Sequence, residues 1–230
     1  MNSFVLAFPL TVAQDEPFAV TPNVSVEKDT ASLMVPGCTL VFKVVRKEAV
    51  PGLSDIFKEH SEISAEDAAT IESHKSLLFL LGSLKSATDL TMVNTAILKV
   101  LSAGALGVYM QQSGAAWTAE GFREELGDAE FPMDPWMNYL EGGDVLYTLG
   151  LETFALPDLC ISKNAEVQDL REVLSVVADS LFVEGVSSKS GTEVDCGECG
   201  VYALRQETKS PFAKDDPEYN RQGILRLLKR

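Results

Sequence analysis

The apolar run SLLFLLGSL, Ser76 to Leu84, has the length of a strand and no polar alternation, the pattern of a strand covered on both faces. Directly after it, Leu90, Val93, Ile97, Val100 and Leu101 recur at steps of one to four between Asp89 and Ala103, and Gly104 supplies a stop. A strand that must be covered from two sides, chained to an amphipathic helix, demands layers of sheet and helix rather than a bundle or a lone sheet. The rest of the chain continues that interleaving. Ala31 to Val45, ASLMVPGCTLVFKVV, reads as a hairpin around Pro36-Gly37, while Gln14 to Thr30 is polar and reads as loop. Ser64 is placed to cap a helix with Glu66 and Asp67 in its first turn, where carboxylates meet the positive end of the helix dipole. Ala105 to Gln112 returns to strand character, and TAEGFREELGD follows as a charged helix capped by Thr118 with Gly127 near its end.

Asp134-Pro135 predicts a short helix, since Asp accepts from free amides and Pro loses no bond at the first position, with Gly142-Gly143 as its end. The stretch DVLYTLGLETFALPDLCIS, Asp144 to Ser162, is either a hairpin turning at Gly150 to Thr153 or one long bent strand, and periodicity leaves both open. From Ala165 to Phe182, Val167, Leu170, Leu174, Val177 and Leu181 step by three and four behind a cap at Asn164. CGVYALRQ reads as β, and the terminal GILRLLKR reads as strand or helix. Hairpins beside the strand and helix alternation favour an α+β class with a mixed or mostly antiparallel sheet, helices packed on it, and ferredoxin-like halves as the architecture. The chain reads as a single domain over residues 1–230; if it divides, the halves are 1–130 and 131–230.

At 230 residues, with 46% hydrophobic and 23% charged residues, the chain is ordinary globular material that can hold a core by apolar packing alone. Its 34 acidic against 19 basic residues give a net charge of −15, which repels phosphate backbones and anionic lipid at long range and favours basic proteins or cations. No apolar run approaches the roughly 20 residues a membrane helix needs, and the N-terminal MNSFVLAFPL has no basic residue ahead of its apolar stretch, so neither a span nor a secretory signal is expected. Four cysteines, Cys38, Cys160, Cys196 and Cys199, are too few and scattered for a secreted disulfide framework, which points to the cytoplasm and reduced thiols.

Tyr147-Thr-x-Gly150-Leu-x-x-Phe154-x-x-Pro157-(acidic)-Leu159, followed by a loop and a long amphipathic helix, resembles an uncharacterised bacterial family with a C-terminal domain of unknown function. ESHKSLLFLL and GALGVYMQQSGAAW are similar to its upstream part, so the resemblance covers residues 70–230. It implies a shared fold and hands over no catalytic residue. Members have a Gly-rich polar turn where this chain has DCGECG, which implies no thiol role common to the group.

Cys196-x-x-Cys199 is the sharpest local pattern, and three uses compete for it: a turn, a metal site and a redox dithiol. Structural zinc wants four ligands, and Cys38 and Cys160 lie in apolar strand-like runs rather than a second knuckle. A redox dithiol opens a helix, whereas this pair precedes VYALR and is flanked by Asp195 and Glu198, which raise a thiol pKa. The turn is favoured, and no metal or cofactor is expected. His74, beside the apolar run and two residues from Glu72, has the surroundings of a general base or of a capping residue. Trp117, Trp136, Tyr139 and Tyr147 are candidates to wall a cavity with it; His60, in KEHSE, reads as solvated. Glu120, Glu124 and Glu125, with Asp128 and Glu130, form an acidic helix face suited to a partner. The sequence carries no phosphate loop, nucleophile elbow or metalloprotease motif, so no residue is assigned as catalytic. The reading that follows is a non-catalytic, immunity- or adaptor-like protein holding a basic protein partner on its acidic surface. The alternative is a small-molecule binder or enzyme with an aromatic pocket near His74.

Overall fold

The structure, a computed structural model, describes residues 3–128, 132–164 and 169–230. Its strands are β1 Phe4–Leu10, β2 Phe18–Thr21, β3 Val24–Val26, β4 Ser32–Met34, β5 Val41–Glu48, β6 Ser76–Gly82, β7 Gly107–Met110, β8 Ala116–Thr118, β9 Asn138–Gly142, β10 Val145–Leu149, β11 Asp158–Ser162, β12 Glu193–Asp195, β13 Val201–Gln206 and β14 Ile224–Lys229. The helices are α1 Leu53–His60, α2 Ala65–Glu72, α3 Ala87–Ser102, α4 Ala119–Asp128 and α5 Leu170–Phe182.

The fold is α+β, with sheets of mostly antiparallel strands. The first large sheet runs β4-β5-β6-β1-β7-β8, antiparallel throughout, and the second runs β12-β13-β14-β11-β10-β9. Successive residues of β6 serve two cores, which is why the run lacks polar alternation. Leu78 and Leu80 join the large cluster, whereas Leu77 packs with Leu53, Phe57, Ile71 and Ala116 beneath α1 and α2. The order β5-β6-β1-β7, with α3 crossing between β6 and β7, has the strand arrangement of a ferredoxin-like half. The second sheet is mixed: β11 pairs β14 in parallel, and α5 lies in the crossover that parallel pairing requires, so the two sheets differ in topology.

One buried cluster runs through both sheets. Along it Phe42, Phe4, Trp136, Phe154 and Phe182 pack ring to ring at centroid distances of 6.2, 5.7, 6.0 and 4.8 Å. Trp136 is therefore a core residue; its indole N–H donates to Asn94 Oδ1 at 2.7 Å.

The segment from Gln14 to Thr30 is not all loop: Phe18, Val20 and Val26 enter the core from the β2–β3 hairpin. Arg46 secures it from β5, its buried guanidinium donating to the carbonyls of Ala13, Glu16 and Val26 and to Ser76 Oγ. Asp134–Trp136 is a single 3-10 turn, and Gly142-Gly143 turns the β9–β10 hairpin instead of ending a helix. Asp144 to Ser162 is the hairpin alternative, and GILRLLKR forms strand β14. The cap of α5 is Asp169, which accepts from the amides of Arg171 and Glu172, rather than Asn164; Val167 lies outside the described residues.

The motif that carries the resemblance closes the β10–β11 hairpin. Thr148 Oγ1 accepts from the Leu159 amide at 2.8 Å and Asp158 Oδ1 from the Leu151 amide at 3.1 Å, while Leu151 and Phe154 fill the core. Gly150, at φ +102°, packs so closely that a Cβ there would stand 2.5 Å from Ser113 Cβ and 2.9 Å from the Trp136 carbonyl oxygen. Thr148, Gly150, Leu151, Phe154, Asp158 and Leu159 thus each have a packing or hydrogen-bonding task, and Gly150 lies where the second sheet's hairpin meets the first sheet's β7–β8 turn.

Candidate functional site

The end of α1, strand β8, helix α4, strand β9 and the first turns of α5 converge on two adjoining cavities that share Trp117 and Glu125. The first, of about 340 Å³, is lined by Ser61, Glu62, Ile63, Trp117, Thr118, Gly121, Glu124 and Glu125. Its charged lining is carboxylate throughout. Thr118 sets the direction of α4 by accepting from the Gly121 amide at 3.0 Å, and the helix then projects Glu124 and Glu125 toward the indole.

The second cavity, of about 270 Å³, brings together His60, Trp117, Glu125, Asp134, Asn138, Tyr139, Arg171 and Ser175. Trp117 donates to the Pro135 carbonyl at 2.8 Å, which fixes its ring, and His60 meets that ring edge-on at 4.6 Å. Arg171 and Ser175 stand one turn apart on α5 and both address Tyr139: Ser175 Oγ lies 3.0 Å from the phenol oxygen, and the guanidinium carbon lies 5.0 Å over the ring. The guanidinium has no ion pair among the described residues.

The electrostatics of this chamber follow from its burial. Desolvation pulls the His60 pKa down to about 4, with the Asn138 side chain opposing and Arg171 reinforcing the effect, so the imidazole is neutral at pH 7. Asn138 is the side chain in hydrogen-bonding reach of the ring. Burial also pushes Tyr139 up to about 12, so the phenol keeps its proton. The chamber therefore offers neutral donors and acceptors, one exposed cation and two carboxyl side chains. Among the described residues no serine, threonine or cysteine hydroxyl or thiol is hydrogen-bonded to a histidine.

Of the residues singled out in the sequence, Trp117, Tyr139, Glu124 and Glu125 come together here. Glu120 is exposed on the same helix; the side chain of Asp128 and all of Glu130 lie outside the described residues. His74 is elsewhere. It is buried, accepting from the Val50 amide at Nε2 and donating from Nδ1 to the Ile71 carbonyl, which makes it a strut between α2 and the chain leading into α1. Glu72 completes that strut by accepting from the amides of Gly52 and Ser54, which hold its carboxyl below the usual range. Tyr147 packs on Phe212 beside Val145 and Cys160, and neither it nor Trp136 lines these cavities. His60, read as solvated from its polar neighbours, is the histidine that does.

Cys196 and Cys199 occupy the turn of the β12–β13 hairpin, closed by the Cys199 amide on the Cys196 carbonyl at 3.1 Å and the Cys196 amide on the Gly200 carbonyl at 2.9 Å. Burial, then Cys199, Asp195 and Glu172, push the Cys196 thiol up to about 11, and Cys199 is raised by the same kinds of neighbour. Thiols so protonated are poor nucleophiles. Among the described residues no cluster of three or more His, Cys, Asp or Glu is arranged to hold a metal. Elemental analysis of protein purified under reducing conditions is expected to find no stoichiometric zinc, and Cys196→Ser with Cys199→Ser is expected to leave the metal content unchanged. About one zinc per chain, lost in the double variant, would overturn this.

The chain matches no family model, no curated protein and no solved structure. Among the described residues no helix is long and apolar enough to cross a membrane.

Proposed function

We propose that this is a non-catalytic, cytoplasmic interaction protein of the immunity or adaptor kind, which holds a basic protein partner at the acidic cleft between α1 and α4. The observation that carries this reading is an indole set in a cavity whose charged lining, among the described residues, is Glu62, Glu124 and Glu125. A Lys or Arg side chain lays its alkyl stem on such a ring and places its head among the carboxylates. The net charge of −15 steers a basic partner toward it. The alternative, a small-molecule site, moves from His74 to His60, which lines the second cavity with Trp117, Asn138 and Tyr139.

Trp117 supplies its own reporter, because Trp136, the other tryptophan, is buried and hydrogen-bonded in the core. Titration with a short arginine-bearing peptide is expected to change tryptophan fluorescence in the wild type and not in Trp117→Phe. Joint replacement of the exposed Glu120 and Glu124 by Lys is expected to weaken binding about tenfold or more, with the melting temperature nearly unchanged, and salt is expected to weaken it as the Debye length falls from about 10 Å to about 3 Å. Equal affinity in the charge-reversed variant would overturn the reading.

A further inference from the structure

The two cavities differ in charge and share a wall. The acidic one receives a cation. The other contains Arg171, an exposed guanidinium held over Tyr139 with no ion pair among the described residues, and beside it the Ser175 and Tyr139 hydroxyls, which share one hydrogen bond and so leave one hydroxyl proton to donate. His60 adds a neutral ring N–H and a ring acceptor to the same chamber, with the Asn138 side chain beside it. The guanidinium and the spare O–H donor fit a carboxylate, which Arg binds in a two-pronged, charge-assisted geometry. Glu125 and Asp134 line the same chamber and disfavour a bare anion. A group that carries its own positive charge next to the carboxylate avoids that repulsion.

We infer that the site binds the C-terminal residue of the partner when that residue is Lys or Arg: its α-carboxylate at Arg171 and Ser175, its alkyl stem across Trp117, and its cationic head among Glu62, Glu124 and Glu125. This rests on the acidic-cleft reading above and adds the carboxylate as a second anchor. Because Trp117 and Glu125 belong to both cavities, a single residue bridges them without a linker. The same chemistry is presented by free arginine, and the partner's chain end is the source assigned here because α4 carries a further exposed carboxylate, Glu120, outside both cavity linings.

The test uses the full chain and four probes: a Gly/Ser hexapeptide ending in arginine as the free acid, its C-terminal amide, the free acid ending in alanine, and free L-arginine, each read by Trp117 fluorescence. The arginine free acid is expected to bind about tenfold or more tighter than its amide, and Arg171→Met, which keeps the stem on Tyr139 and removes the charge, is expected to abolish that difference while binding the amide as the wild type does. Arg171→Lys should restore part of it, and unchanged melting temperatures show that the variants fold. Equal binding of acid and amide by the wild type overturns the inference and leaves the acidic-cleft reading standing. Failure of both arginine peptides overturns that reading as well. Free arginine binding as tightly as the peptide overturns the assignment to a chain end.

Discussion

Leu174→Asp is expected to abolish the folded state or to lower its stability by about 5 kcal/mol or more. Leu174 is 0% exposed, midway along α5, in a stripe with Val173, Val177, Ala178 and Leu181 that faces the shared core. Losing the buried side chain alone costs about 3–5 kcal/mol, and a carboxylate in its place has no cation to pair with. A domain of this kind has about 5–15 kcal/mol in total, so one such loss consumes much of it. Val183→Asp, the same charge at a 39% exposed position just past the helix, is the control, with an expected cost of about 1 kcal/mol or less. Thermal unfolding of the pair checks both numbers; a Leu174→Asp melting temperature within a degree or two of wild type would mean that α5 does not bury this stripe.

That stripe was legible because three-four spacing over a long segment leaves little freedom, and the same holds for α3 and for β6. Shorter elements gave weaker signals. α1 has Leu53, Ile56 and Phe57 at helical spacing, but over so few residues, behind Pro51-Gly52, that the pattern marks no element by itself. The β2–β3 hairpin lies inside the Gln14 to Thr30 segment that its polar residues make read as loop, and what holds it in place is Arg46, which lies 20 residues beyond Val26. Pro135 did start a turn, but β9 follows it at once, because Tyr139 and its neighbours pair with β10 across Gly142-Gly143.

The site was half legible. Trp117 and Tyr139 were singled out as aromatics near one another in sequence, and the acidic α4 face from its composition. His60 was missed because its sequence neighbours are polar, and the residue that buries it, Trp117, comes from a strand far along the chain. Arg171 was invisible for the same reason: on a helix wheel it is one more exposed cation, and only the fold sets it over Tyr139. His74 misled because burial beside a carboxylate is shared by catalytic and structural histidines. Its partners, two backbone groups, decide for structure.

Asp158 makes the second large prediction, a fall in stability as pH rises through neutrality. Its carboxyl is 3% exposed, and desolvation raises its pKa to about 7 against the hydrogen bonds from Asn220, Leu151 and Thr148 that oppose the shift. In the unfolded chain the group titrates near 3.8. Below that value both states are protonated and nothing is lost. Between about 4 and 7 the unfolded state has released the proton and the folded state has kept it, so each pH unit costs about 1.4 kcal/mol, and above 7 the loss levels off near about 4 kcal/mol. Asp179, raised to about 6, slopes the same way, whereas the depressed Glu72, Glu141 and Glu207 slope the other way at lower pH. The informative quantity is therefore the difference from Asp158→Asn, which keeps an oxygen to accept from the Leu151 amide and cannot ionise. Between pH 5 and pH 8 the wild type is expected to lose about 2–3 kcal/mol relative to Asp158→Asn in denaturant unfolding, so that the variant becomes the more stable protein at the alkaline end. Parallel curves across that range would show that Asp158 ionises inside the hairpin at its ordinary pKa, and that the acid of the motif is held by those three hydrogen bonds as a carboxylate.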